Sequence, residues 1–207
     1  MLRPYEHMDF MEIIRSRRSV RAFRPDPPSR AQLEQIIEAA GWAPSPHGRQ
    51  PWRFVVITRA ELKARLADAM GAEWRAQLAL DGQDTGSIDL RHRRSQERIT
   101  GAPAIIVPCL YLEDLDVYPD ADRQAAETIM AIQSLGCAVQ NMLLAAYALG
   151  LDSGWMCAPL FAPGAVRAAL DLAPSMQPHA LVPIGYAAKD PVRRPRRPLD
   201  ELVVRWE

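Results

Sequence analysis

Apolar residues recur along the chain with two periods, and these periods predict its secondary structure. A spacing of three and four residues is typical of helices that bury one face, whereas short continuous apolar runs between turn residues indicate buried strands. The predicted helices cover 9–16, a segment from Ser29, a segment from Thr58, 123–149 and 165–170, and the predicted strands cover 54–57, 104–110 and 180–187. Helices that come in runs beside few strands favour an α+β architecture over a doubly wound sheet.

Two of these helices have a recognisable start. Ser29 is followed by Gln32, and Thr58 is followed by Glu61. Each pair fits the capping box, in which two side chains satisfy the first free amides of a helix. We therefore expect one helix to begin directly after Ser29 and another directly after Thr58.

The longest apolar segment, 128–151, contains no Asp, Glu, Lys or Arg. It is long enough to span a bilayer. However, Gln133, Ser134, Gln140 and Asn141 lie within it, and polar groups at that depth are costly in lipid. We interpret the segment as a helix of a soluble protein that is buried on most sides, and we expect no membrane partner.

Two further segments interrupt the helical pattern. Residues 81–94 are polar and include Gly82 and Gly86, which predicts a mobile lid over a site. Residues 189–207 contain three prolines, so the first half of this C-terminal arm is expected to be extended. An edge strand is predicted over 202–204. The whole chain of 207 residues has the size of a single domain.

Charge and composition exclude several classes of protein. Lys plus Arg and Asp plus Glu both number 25, so nothing global favours nucleic acid or an anionic membrane surface. Cys109, Cys137 and Cys157 are widely spaced, and the histidines are scattered, which favours a reducing cytoplasmic setting without a metal site. The chain also lacks a dinucleotide-binding glycine fingerprint, a P-loop and a nucleophile elbow. If it is an enzyme, a cofactor carries the chemistry.

Four segments have residue types that suit a cofactor. Arg17–Arg21 holds three arginines and a serine, and guanidinium groups bind phosphate through two parallel hydrogen bonds. The others are the proline-rich loop 43–52, the glycine-flanked turn 150–156 and the basic run 193–197. Each has a simpler explanation, such as a solvated basic surface, an ordinary loop or a helix C-cap. Together they suit a planar cofactor that carries a phosphate.

The motifs themselves resemble a known family. I-x-x-R-R-S-V-R-x-F, A-P-S-x-x-x-x-Q-P-W-R-F, a long apolar helix, G-L-D-S-G-W and a basic C-terminal arm follow in this order from Met11 to about Leu202. This set resembles the FMN-dependent nitroreductase family. The loop variant that includes Pro46 and His47 is similar to one branch, the reductase domain linked to the γ-glutamyl ligase of the deazaflavin coenzyme.

This resemblance implies a three-layer α-β-α fold with a mainly antiparallel sheet and a long central helix at a dimer interface. It implies a homodimer with FMN between the subunits and no catalytic side chain. The implied FMN-binding residues are Arg17, Arg18, Ser19, Arg21, Arg194 and Arg196 at the phosphate and ribityl chain, Ser45, Pro46, His47 and Gln50 in a loop that often comes from the partner, and Ser153 and Gly154 at the flavin ring.

The implied activity is transfer of hydride from NAD(P)H through bound flavin to a small organic acceptor. Acceptors of the nitro, quinone, and enoyl or deazaflavin-precursor types all fit the resemblance. Two alternatives stay open at this stage. One is an oxygen-dependent enzyme that fragments flavin to dimethylbenzimidazole, and the other is a non-catalytic flavin carrier.

Overall fold

The computed structural model describes residues 9–191 and 194–207. Its helices are α1 (Phe10–Ser16), α2 (Arg30–Gly41), α3 (Ala60–Leu80), α4 (Thr85–Thr100), α5 (Ala121–Ala148), α6 (Pro163–Leu170) and α7 (Leu199–Leu202). Its strands are β1 (Trp52–Ile57), β2 (Ala104–Tyr111), β3 (Asp152–Ser153), β4 (Met176–Pro178) and β5 (Val182–Gly185). The strands form one sheet in the order β1-β2-β5-β3, with β4 also beside β2, and all pairings are antiparallel. The α+β prediction is confirmed.

One proline divides the central strand between two partners. β2 pairs with β5 over residues 104–106 and with β4 over residues 109–111. Pro108 lies between these ranges and has no N–H to donate to a ladder. Its carbonyl oxygen accepts a hydrogen bond from His179 N at 2.9 Å. The proline therefore marks the point where β2 changes its neighbour.

The sheet is covered by helices on both faces. Alternate residues of β2 enter two different apolar clusters, because successive side chains of a strand point to opposite faces. One cluster joins the sheet to α2 and α5, and the other joins it to α3 and α6. The first cluster takes Ala104, Ile106 and Leu110 from β2, and the second takes Ile105, Val107 and Cys109. The three-layer helix–sheet–helix arrangement is thus confirmed.

Helix α5 is the long uncharged helix predicted from the sequence. By length and composition it is the one helix in the described part of the chain that is able to cross a membrane. Its inner face instead packs on α2 and the sheet, and Asn141 donates its side-chain N–H to Ala39 O at 3.0 Å. α5 therefore serves as a core helix of the fold.

The capping pattern was correct at one helix and wrong at another. Ser29 Oγ accepts from Gln32 N at 3.2 Å and Gln32 Oε1 accepts from Ser29 N at 2.9 Å, which completes the box at α2. At α3 the N-cap is Arg59, without a side-chain hydrogen bond. Because β1 extends to Ile57, Thr58 and Arg59 serve as the two-residue connection to the helix.

Two irregular segments also differ from their prediction. Residues 81–94 are not a turn-rich excursion, since only 81–84 form a turn before α4 begins. Asp84 Oδ1 accepts from Ser87 N at 2.9 Å and caps α4, which packs antiparallel on α3. Residues 202–204 are not an edge strand, because α7 occupies Leu199–Leu202 instead.

Candidate functional site

The arginine-rich segment after α1 lies directly against β3. Val20 N donates to Ser153 O at 2.9 Å, and Ser19 forms a parallel bridge with Ser153. A Cβ on Gly154 would lie 2.5 Å from Val20 O, so the two backbones approach as closely as a residue without a side chain allows. The structure therefore brings together two segments that the sequence singles out separately.

Arg17 stands at the C-cap of α1 and is incompletely paired. Its Nε and Nη1 atoms are buried and have no hydrogen-bond partner among the described residues. Burial lowers the pKa of Arg17, and the nearby positive charges of Arg196 and Arg18 lower its pKa further. Buried donors without partners are costly, so this cluster of like charges needs an anion to balance it.

The neighbouring arginines face different surroundings. Arg18 Nη1 donates to Arg15 O at 2.5 Å and to Arg17 O at 2.6 Å, and therefore satisfies carbonyl groups at the end of α1. Arg21 is exposed and lines two adjoining clefts. The three arginines of the motif thus have three distinct roles in the structure: a cation with two buried nitrogens that no described residue pairs, a helix cap and a cleft wall.

A cationic cleft of ≈ 590 Å³ lies beside this segment. Five basic side chains and one carboxylate line it. The basic residues are Arg21, Arg94, Arg98, Lys189 and Arg194, and the carboxylate is Glu97. Sequence reasoning missed Arg98, although its spacing of four from Arg94 places both on one face of a helix. Of the predicted residues, Ser19, Arg21 and Arg194 line the cleft.

The predicted ring-contacting loop has an unusual backbone. His47, Gly48 and Gln50 have φ values of 54°, 66° and 53°, in the left-handed region that non-glycine residues seldom adopt. Ser45 Oγ accepts from Gln50 N at 3.0 Å and holds the turn closed. Arg49, which the motif analysis left aside, anchors the loop: its Nη2 lies 2.6 Å from Asp116 Oδ2. Strained backbone of this kind clusters at ligand-binding sites.

This loop does not meet the arginine segment within one chain. It leads into β1 at one edge of the sheet, whereas Ser153 lies in β3 at the other edge. Three strand spacings separate β1 from β3 in the order of the sheet, or about 14 Å. Ser45, Pro46, His47 and Gln50 are therefore apart from Arg17, Ser19, Ser153 and Gly154.

Comparison with known proteins gives a consistent result. The sequence profile described as "Nitroreductase family" matches residues 14–186. YfhC of Bacillus subtilis, assigned as an NAD(P)H nitroreductase, is 25% identical over 94% of this chain and 93% of its own length.

Solved structures give the same match. A nitroreductase from Desulfovibrio desulfuricans, solved in complex with FMN, is 30% identical, with a TM-score of 0.74 and coverage of 98% of this chain and 99% of that one. A BluB-like flavoprotein from Clostridium difficile shares the fold, with a TM-score of 0.79, 23% identity and coverage of 97% and 100%.

Proposed function

The chain belongs to the nitroreductase family, and from this we propose that it is an FMN-dependent oxidoreductase that reduces a small organic acceptor with NAD(P)H. The related Desulfovibrio protein is named for its complex with FMN, and the Bacillus relative is named for NAD(P)H. The proposed acceptor is a nitro compound, a quinone, or an enoyl compound of the deazaflavin-precursor type. Kinship to the reductase domain of the deazaflavin-coenzyme ligase is part of this proposal and rests on the loop motif at Pro46 and His47.

The unpaired guanidinium of Arg17 carries the cofactor assignment. Two of its nitrogens are buried and have no partner in the part of the chain that the structure describes, and Arg196 adds a second positive charge nearby. A phosphate would pair the buried N–H groups and balance the two positive charges, because its oxygens are anionic and accept several charge-assisted hydrogen bonds. Ser19 lies two residues further along the same strand-like segment and offers a hydroxyl to the same group.

FMN, when bound, supplies the hydride chemistry, and no side chain of the chain has to react. Arg17, Ser19 and Arg196 would hold its phosphate. Gly154 contributes by having no side chain: a Cβ there would lie 2.5 Å from Val20 O, so the arginine segment is able to lie directly against β3. The surface at this junction of the two segments is where the planar ring would lie.

A second copy of the chain would complete the site. The outer face of α5 and the adjoining α1 expose apolar side chains that a monomer leaves in water. They are Phe10, Met11, Ile14, Ile129, Met130 and Ile132. Only 44% of the most apolar stretch of α5 is buried within one chain. We infer a homodimer through this face, in which the loop 45–50 of each copy reaches the cofactor of the other.

Cysteine alkylation tests this dimer. Cys137 is exposed on α5, and Cys157 is exposed in the segment after β3. Cys109 is buried, and burial raises the pKa of its thiol to about 12. With iodoacetamide at pH 8, we expect Cys157 to react readily, Cys109 to stay unmodified, and Cys137 to be protected at micromolar protein. Dilution that dissociates the dimer should expose Cys137. If Cys137 and Cys157 react at equal rates at every concentration, α5 does not form the interface.

Purified protein tests the proposed reaction directly. We expect bound FMN to bleach on anaerobic addition of NADH or NADPH, and the colour to return with a nitroaromatic or a quinone. Permanent loss of the flavin spectrum in air would favour the flavin-fragmenting alternative. Bound flavin that neither nicotinamide reduces would favour a carrier. The three free cysteines agree with the reducing cytoplasmic location that we propose.

A further inference from the structure

A second cleft opens where the cationic cleft ends. It has a volume of ≈ 550 Å³ and runs between α3, α4 and the segment after β3. Arg21 and Arg98 line both clefts and so stand at the boundary between them. Trp155 and Met156 of this second cleft follow Gly154 directly in the chain. Its mouth therefore adjoins the surface proposed for the flavin ring.

The walls of this cleft are aromatic and thioether side chains. Trp74 comes from α3, while Trp155 and Phe161 come from the segment after β3. Met70 and Met156 fill the space between them. Although they line a pocket, 37% of Trp155 and 70% of Phe161 remain exposed to solvent. Flat, polarisable walls of this kind favour a planar aromatic ligand.

The charges at the cleft are arranged at its ends. Within residues 9–191 and 194–207, neither the guanidinium group of Arg21 nor that of Arg98 forms a hydrogen bond or an ion pair. The carboxylate of the lining, Asp81, lies at the far turn of the α3–α4 hairpin. Met70 of α3 is near the arginine end of the cleft. Asp81 lies eleven residues beyond Met70, which is about 16 Å along the helix axis. The arginine end thus attracts an anion without a competing internal partner.

Helix α4 is packed firmly on α3, which fixes the backbone position of Arg98. A Cβ on Gly71 of α3 would lie 2.5 Å from His92 Nε2, so the two helices are closely packed at this point. Gln96 Nε2 donates to Asp68 Oδ1 at 3.0 Å, one turn beyond His92. α4 is therefore a rigid wall of the cleft, and it fixes the backbone position from which the Arg98 side chain extends.

We propose that this cleft selects acceptors that combine a planar aromatic ring with an anionic group, and that Arg98 binds the anion. The ring lies against Trp74 and Trp155 while the anion sits between Arg98 and Arg21. This inference rests on the proposed reductase function and specifies its substrate class. For a sulfonated naphthoquinone, NAD(P)H and a proton yield NAD(P)⁺ and the hydroquinone, and the sulfonate is unchanged.

The test compares a charged acceptor with a neutral one in two variants. The probes are 1,4-naphthoquinone-2-sulfonate and 2-methyl-1,4-naphthoquinone. Arg98→Gln removes the proposed anion contact, and Arg91→Gln removes the same charge from an exposed position of α4 outside both clefts. Binding is measured as quenching of tryptophan fluorescence in the FMN-loaded protein without NAD(P)H, and turnover as KM and kcat.

We expect Arg98→Gln to raise the Kd and KM of the sulfonate about 10-fold, the loss of one charge-assisted hydrogen bond. The Kd and KM of the neutral quinone should change less than about 2-fold. Arg98→Lys should restore part of the affinity for the sulfonate. Arg91→Gln should have the same Kd and KM as the parent protein for both quinones.

Three results would overturn the proposal. In Arg98→Gln, the first is an equal loss of affinity for both quinones, and the second is an unchanged Kd for the sulfonate. The third is weaker binding of FMN, which would assign Arg98 to the cofactor site. Failure of the proposed reductase function is distinguishable from failure of this inference. In that case NAD(P)H is not oxidised with either quinone, while the quenching titration still reports whether the cleft distinguishes the sulfonate.

Discussion

Replacing Arg17 by Ala is expected to weaken FMN binding about 10- to 100-fold without lowering the stability of the apo protein. The first effect follows from the loss of a charge-assisted hydrogen bond to phosphate in a partly buried site. The second follows because Nε and Nη1 of Arg17 have no partner among the described residues and lie near Arg196. Removal of this cation relieves repulsion in the apo state rather than breaking a native contact.

Two measurements check this expectation together. FMN affinity is obtained from the change in flavin fluorescence on binding, and apo stability from the thermal midpoint of the stripped protein. Arg15→Ala serves as the control, since Arg15 is an exposed arginine in the last turn of the same helix. A variant that binds FMN as tightly as the parent would remove Arg17 from the phosphate site. A large drop in the apo midpoint would assign Arg17 a structural role instead.

Replacing Gly154 by Ala is expected to destabilise the protein by about 2–3 kcal/mol, because overpacking against backbone cannot relax cheaply. The added Cβ would lie 2.5 Å from Val20 O, and a carbonyl oxygen of the main chain cannot rotate out of the way. For a chain of this length the thermal midpoint should fall by about 5–10 °C. FMN affinity should fall as well, since the displaced segment carries Ser19.

Gly164→Ala is the matched control for this change. Apart from its neighbours in the helix, no atom of residues 9–191 and 194–207 lies within 4 Å of a Cβ on Gly164, which is in the first turn of α6. Ala is the better helix former, so this variant should be as stable as the parent or slightly more stable. Equal midpoints for the two alanine variants would show that β3 and the arginine segment are not packed as described.

The sequence predicted the core of the fold well and its margins less well. β2 and α5 were found because they are long and almost uniformly apolar, so burial alone identifies them. β3 and β4 have two and three residues, too few to show a period. The sequence of α4 predicts a loop over its first part, because it is largely polar and only Ile88 and Ile99 of this helix are buried.

At the site, the sequence identified the individual motifs but did not predict which of them lie next to each other. The contact of Ser19 with Ser153 joins residues that are far apart in sequence, and only the sheet order brings them together. Arg98 escaped notice for a different reason. A lone arginine on a polar helix resembles any solvated surface residue until the opposite wall of a cleft, formed here by Trp155, is known.

The proximity of Arg17 and Arg196 has a consequence for the order of events in biosynthesis. Arg17 directly follows α1, whereas Arg196 lies in the arm after β5. The ribosome must therefore release the chain as far as Arg196 before the phosphate site has both of its charges. Cofactor capture becomes a late step, which acts on an already assembled sheet and joins two segments that are far apart in sequence.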